Sequence, residues 1–92
     1  MIPKSELRTK TWLEKNGFYY IRAGRSFGVF DFVALKRDCL WLIQAKFGQG
    51  PRKDEFTRLK EFNNYPSIGK KMVFLWKAWQ RDPIITEVPS GN

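Results

Sequence analysis

The chain has 92 residues, with 17 Lys and Arg against 9 Asp and Glu, one cysteine and no histidine. That size suits one small domain with a single core, and the lone Cys39 and missing histidine exclude an intramolecular disulfide, zinc sites built on imidazole or clustered thiolates, and any catalytic scheme that uses imidazole. What remains for bond-breaking chemistry is carboxylates, lysines and a hard cation held by oxygen, while the formal net charge of +8 favours a polyanionic partner, a nucleic acid first.

In chain order, residues 6–15 predict a helix with Ser5 as its cap and with Leu7, Thr11 and Trp12 turned to one side. Glu6 falls in the first turn, where the helix dipole favours a carboxylate, and Asn16-Gly17 ends the helix. Residues 18–21 predict a first strand that runs past Arg22 into the polar turn Gly24-Arg25-Ser26-Phe27-Gly28. Two apolar runs, 29–35 and 39–47, predict a pair of adjacent strands broken by the charged Lys36-Arg37-Asp38.

The loop from Gly48 to Arg52 leads into a second predicted helix, 53–64, with Phe56, Leu59 and Phe62 at helical spacing. Asp54 and Glu55 stand at its start, again where the dipole favours acids. Gly69-Lys70-Lys71 precedes a fourth strand, 72–76, with Trp76 and Trp79 expected across the end of the sheet. Residues 84–88, between Pro83 and Pro89, predict a short edge strand. The expected fold is α/β, a mixed sheet flanked by helices in the order αβββαββ. No stretch is long and apolar enough to span a membrane and residues 1–8 have no apolar core, so an intracellular, cytoplasmic chain is expected.

Strand alternation places Gln44 and Lys46 on one face of the third strand and Trp41, Ile43, Ala45 and Phe47 on the other. Asp31 shares a side with Val29 and Val33, where a carboxylate needs a hydrogen bond, a cation or a metal to offset desolvation. A hairpin that brings Asp31 beside Gln44 and Lys46 makes these three a candidate chemical centre. A buried ion pair between Asp31 and Lys46 is the other reading of the same pattern. Trp41, Ile43 and Phe47 either pack beneath a helix or form an interface.

Glu6, Arg25-Ser26, Gly28, Asp31 and Gln44-Ala45-Lys46, on that element order, resemble the PD-(D/E)xK nuclease superfamily, and within it the small archaeal and phage-type Holliday junction resolvases. The resemblance implies a restriction-endonuclease-like core over residues 1–92 as one nuclease domain. It implies a metal-dependent DNA endonuclease, with Glu6, Asp31, Gln44 and the Ala45 carbonyl around Mg²⁺, for which Mn²⁺ substitutes. Lys46 would be the catalytic lysine, and Arg25 and Ser26 would lie near the scissile phosphate. Gln44 departs from the pattern: most members have an acid there, and an uncharged amide oxygen binds a hard cation more weakly.

Arg22, Arg25, Arg52, Lys53, Lys70 and Lys71, in or beside the loops, are the expected phosphate contacts. A homodimer or higher homo-oligomer is expected, because symmetric cleavage of a junction needs paired sites. Three other functions fit the same residues. They are an inactive DNA-binding member of the fold, a site-specific endonuclease of the restriction or homing kind, and a basic structural protein with no nucleic-acid site.

Overall fold

The computed structural model describes residues 2–23 and 29–89, and in these the two hydrophobic periodicities settle into two helices and five strands. They are α1 (Lys4–Lys15), β1 (Tyr19–Arg22), β2 (Phe32–Lys36), β3 (Cys39–Phe47), α2 (Lys53–Glu61), β4 (Gly69–Trp76) and β5 (Ile84–Val88). The strands lie side by side in sequence order. Only β3 and β4 run parallel, and the other three pairs are antiparallel. A parallel pair needs a long return path, and α2 lies on it. The result is the expected mixed sheet in the order αβββαββ.

Alternation along the strands sorts the core into two layers. On one face Leu13 of α1 packs with Phe32, Ala34, Ile43, Met72, Phe74 and Trp76, joined by Trp12, Phe18 and Trp41. On the other, Leu59 of α2 packs with Leu42, Val73, Val88 and Phe30, joined by Phe56 and Phe62. Ile43 is fully buried in the core under α1, and the half-buried Trp41 packs there against Trp12 and Phe18. Of the three residues set aside as interface or core, Ile43 is closed off by this packing, Trp41 is half-buried in it, and Phe47 stays exposed. On the α2 side of the first two strands Tyr19, Ile21 and Leu35 form a neighbouring set of exposed apolar side chains.

Several boundaries differ from those read in the sequence. Pro3 stands at the start of α1, and Ser5 is inside it, buried against the sheet: Thr9 Oγ1 donates to Ser5 O at 2.8 Å and itself accepts from Trp76 Nε1 at 2.9 Å. The buried stripe of α1 is thus Ser5, Thr9 and Leu13, with Leu7 and Thr11 facing water. At the C-terminus of α1, Gly17 takes a left-handed φ of 77°, the conformation that lets the chain reverse without a Cβ clash. The second strand starts only at Phe32, and α2 stops at Glu61 rather than at residue 64. β4 begins three residues early at Gly69, because the parallel register carries on to Leu40. Trp76 is buried at the sheet end as expected, but Trp79 is 80% exposed. Among the described residues no helix is long and apolar enough to cross a membrane.

Candidate active site

Asp31 stands immediately before β2, at the end of the sheet where β3 finishes. Its N–H donates to Ile43 O at 2.7 Å, and its Oδ2 accepts the Ala45 N–H at 2.8 Å. The carboxyl is thereby fixed against the third strand by one backbone donor. Burial pushes its pKa above the ordinary aspartate value, and the negative charge of Glu6 pushes it the same way. The Ala45 hydrogen bond and the positive charges of Lys46 and Arg22 pull it down. The Arg22–Glu6 hydrogen bond, the Asp31–Ala45 hydrogen bond beside Lys46 and the pairing of Arg22 with Phe32 bring these groups to one end of the sheet, although they come from α1, β1, the approach to β2, and β3.

Each charged member has a partner. Glu6 Oε1 accepts from Arg22 Nε at 2.9 Å, which ties α1 to the first strand. Lys46 Nζ donates to both carboxylate oxygens of Glu55, at 2.9 and 2.7 Å. Glu55 Oε1 also accepts the Arg52 N–H at 3.0 Å, at the N-terminus of α2. The Glu55 carboxyl is held below the usual range, first by the Lys46 hydrogen bond and then by the Arg52 N–H. Asp31 and Lys46 are thus not simply a mutual ion pair, since each has another partner.

Gln44 is the exception. It is 5% exposed, and its Oε1 is buried with no hydrogen-bond partner among the described residues. An unpaired carbonyl oxygen at such a position costs free energy unless a donor or a cation meets it. The donor types fit a hard divalent ion: an amide oxygen from Gln44, a carboxylate oxygen of Asp31 beyond the one that Ala45 engages, and Glu6. An extended residue turns its N–H and C=O to the same strand edge, so the Ala45 carbonyl faces the Asp31 side as well. Among the described residues no three Asp, Glu, His or Cys side chains form a metal cluster by themselves, so a site here depends on Gln44.

Neither a protein-family model nor a curated protein matches this sequence.

The expected phosphate contacts divide. Arg22, Arg52 and Lys53 lie at the site end of the sheet, with Arg22 paired to Glu6 and Arg52 beside Asp54 and Glu55. Lys70 and Lys71 do not. Lys70 pairs with Trp41 in register whereas Leu75 pairs with Lys46, so five residues, about 16 Å of strand, separate Lys70 from the site. Lys70 instead reaches Glu87 at 3.9 Å. Lys71 is 1% exposed, and its Nζ donates to the carbonyls of Leu59, Lys60 and Phe62 at 2.6, 2.8 and 2.8 Å. It closes the C-terminus of α2 and cannot touch a phosphate. Arg25, Ser26 and Gly28 lie outside the described residues.

Glu55 is the site residue that the sequence did not single out. Its place in the first turn of α2 has a sufficient local explanation, which hid its second role. The available signal was Lys46 itself, a lysine on a core-facing side of a strand that required a counter-charge.

Proposed function

We propose that this protein is a divalent-metal-dependent DNA endonuclease acting on branched or otherwise distorted DNA. The observation that supports it is the buried Gln44 oxygen without a partner, next in the chain to the Ala45 that holds Asp31, within the field of Glu6 and Lys46. Asp31, Gln44, Glu6 and the Ala45 carbonyl are the residues that would hold Mg²⁺ or Mn²⁺. When bound there, such an ion supplies polarisation of the phosphate and a bound water of lowered pKa.

The side chains of this chain do the rest. The Ala45 N–H fixes the Asp31 carboxyl in one orientation, so no reordering is needed when a ligand arrives. Lys46 presents a positive charge at the sheet end and stabilises negative charge developing on the phosphate. Glu55 acts as a positioning residue: its two oxygens aim the Lys46 ammonium and supply the carboxylate that the Gln44 position lacks. Lys46 is accordingly assigned electrostatic stabilisation rather than base action.

Recognition of DNA shape rather than sequence is the mode that needs only the sheet and its two helices. Symmetric cutting of a junction requires a two-fold dimer, and the uncovered Tyr19, Ile21 and Leu35 replace Trp41 and Ile43 as its candidate surface.

The test compares wild type, Asp31→Ala and Lys46→Ala on four-way junctions, flaps, single strands and plain duplex in Mg²⁺ or Mn²⁺. Wild type should cut a branched substrate best, with activity lowered at least a hundredfold in either variant. Equal cutting by all three proteins overturns the assignment. A second reading, DNA binding without cleavage, is favoured by Lys46 and Arg22 already being engaged by Glu55 and Glu6. Tight binding with no metal-dependent cutting by wild type selects it.

A further inference from the structure

Trp79 is the one tryptophan that the fold leaves outside. Trp12, Trp41 and Trp76 are packed in the layer under α1, while Trp79 is 80% exposed and stacks on no other ring among the described residues. It is nonetheless carried on a fixed support. The Gln80 N–H closes a turn onto Lys77 O at 3.1 Å, and the Arg8 guanidinium donates to that same carbonyl at 3.3 Å from α1. Lys77 Nζ in turn donates to Gly48 O at 2.8 Å, tying the turn to the end of β3. The turn that presents this aromatic face to water is therefore fixed by three separate bonds, and fixing its backbone in advance lowers the entropy lost when something stacks on the ring.

The turn and α1 form the two walls of an open groove of about 880 Å³. On the helix its lining follows one stripe, Leu7 with Arg8, Thr11 with Trp12, Lys15 with Asn16. On the turn side it has Trp79, Arg81 and Asp82. Arg8, Lys15 and Arg81 make no salt bridge among the described residues, so three cations face the groove against the single carboxylate of Asp82. The groove starts at the sheet end that carries the candidate site, on the opposite face from Lys46: the Arg8 guanidinium lies 5.3 Å from the centre of the ring of Phe47, the last residue of β3.

We propose that this groove binds unpaired nucleotides of a nucleic-acid strand, with a base stacked on Trp79 and the phosphates on Arg81, Lys15 and Arg8. The chemistry excludes the neighbouring choices. A duplex offers phosphates but hides its base faces, so it leaves Trp79 with nothing to stack on. An apolar helix would bury the three cations without partners. A single strand supplies both things that the groove lacks, a flat π-face and a run of negative charge, and aromatic stacking accepts any base. The groove leads away from the candidate site along α1, where a strand unpaired at a branch point would lie. The binding does not require cleavage, and so stands apart from the endonuclease reading.

The experiment measures fluorescence anisotropy of labelled oligothymidine and of labelled duplex with the full chain in EDTA, for wild type, Trp79→Ala, Trp79→Phe and Lys15→Ala/Arg81→Ala. Trp79→Ala should weaken oligothymidine binding about 5- to 150-fold, Trp79→Phe less, and duplex binding should stay within a factor of two. The double variant should flatten the log–log salt slope by about 1.4. Since all three side chains are exposed, thermal melts of the variants should match wild type. Oligothymidine affinity unchanged in Trp79→Ala, an equal loss for duplex, or displacement of oligothymidine by polyglutamate at equal charge each overturns the proposal. A silent Trp79→Ala alongside an inactive Asp31→Ala removes the groove and leaves the endonuclease reading, and the reverse pair of results does the opposite.

Discussion

Asp31 is pulled by charges of both signs, and burial decides the balance by raising its pKa above the ordinary aspartate value. In the unfolded chain the carboxyl titrates normally, so between that value and the raised one the native state binds more protons than the unfolded state. Stability conferred at this position is complete at acid pH and is lost as pH rises through the native value. Asparagine at 31 keeps an oxygen for the Ala45 N–H but never ionises. Asp31→Asn should therefore melt with wild type at acid pH and a few degrees above it at neutral pH. Melting curves across pH check this, and a constant gap between the two proteins would contradict it. At this scale the sequence was informative wherever alternation applied: Gln44 and Lys46 share a face because the strand period is two. Glu55 was not legible, since no local pattern says that a loop from Gly48 to Arg52 folds the start of α2 back onto Lys46.

At the scale of an element, α2 shows how one misread residue follows from a correct rule applied too loosely. Lys70 and Lys71 are adjacent in β4, so one must face outward and the other inward. Lys71 shares its face with Val73, under α2, and was the inward one. Its carbonyl partners come from the last turn of α2, nine to twelve residues earlier, and only the folded chain brings them together. Burial lowers the pKa of Lys71, and the three carbonyls offset part of that cost by favouring its charged form. Lys71→Met keeps the length of the stem and removes the donors, which leaves those carbonyls unsatisfied at a buried helix end. A loss of about 3 kcal/mol is expected from urea unfolding, near the upper end for hydrogen bonds to a charged group. A variant within about 0.5 kcal/mol of wild type would show that water serves those carbonyls equally well. The helix ends earlier than its apolar spacing suggested for the same reason. Lys71 reaches the carbonyl of Phe62, whose backbone has already turned extended.

Over the whole molecule, acids and bases are not spread alike. Among the described residues Glu6, Asp54, Glu55 and Glu87 are engaged by Arg22, Lys46, Arg52, Arg58 and Lys70, and the basic residues without such partners there outnumber the acids without them. A polyanion drawn to this surface has to be placed by where those residues lie, and the sheet gives them two distinct ends. Exposed Lys53, at the start of α2, is at the end that holds Asp31 and Lys46, whereas Lys70 is about 16 Å along the strands from it. If duplex arms of a branched DNA cross the site end, each phosphate neutralised there contributes about 0.9 to the slope of log affinity against log salt. Lys53→Ala should then reduce the slope by about 0.9 and weaken binding to all sequences alike, while Lys70→Ala leaves it unchanged. Titrations in EDTA over a range of salt concentrations separate these outcomes without any cleavage. The reverse pattern, a slope sensitive to Lys70 and indifferent to Lys53, would carry the DNA over the far end of the sheet and away from Asp31 and Gln44, which would leave their cluster without a phosphate to act on.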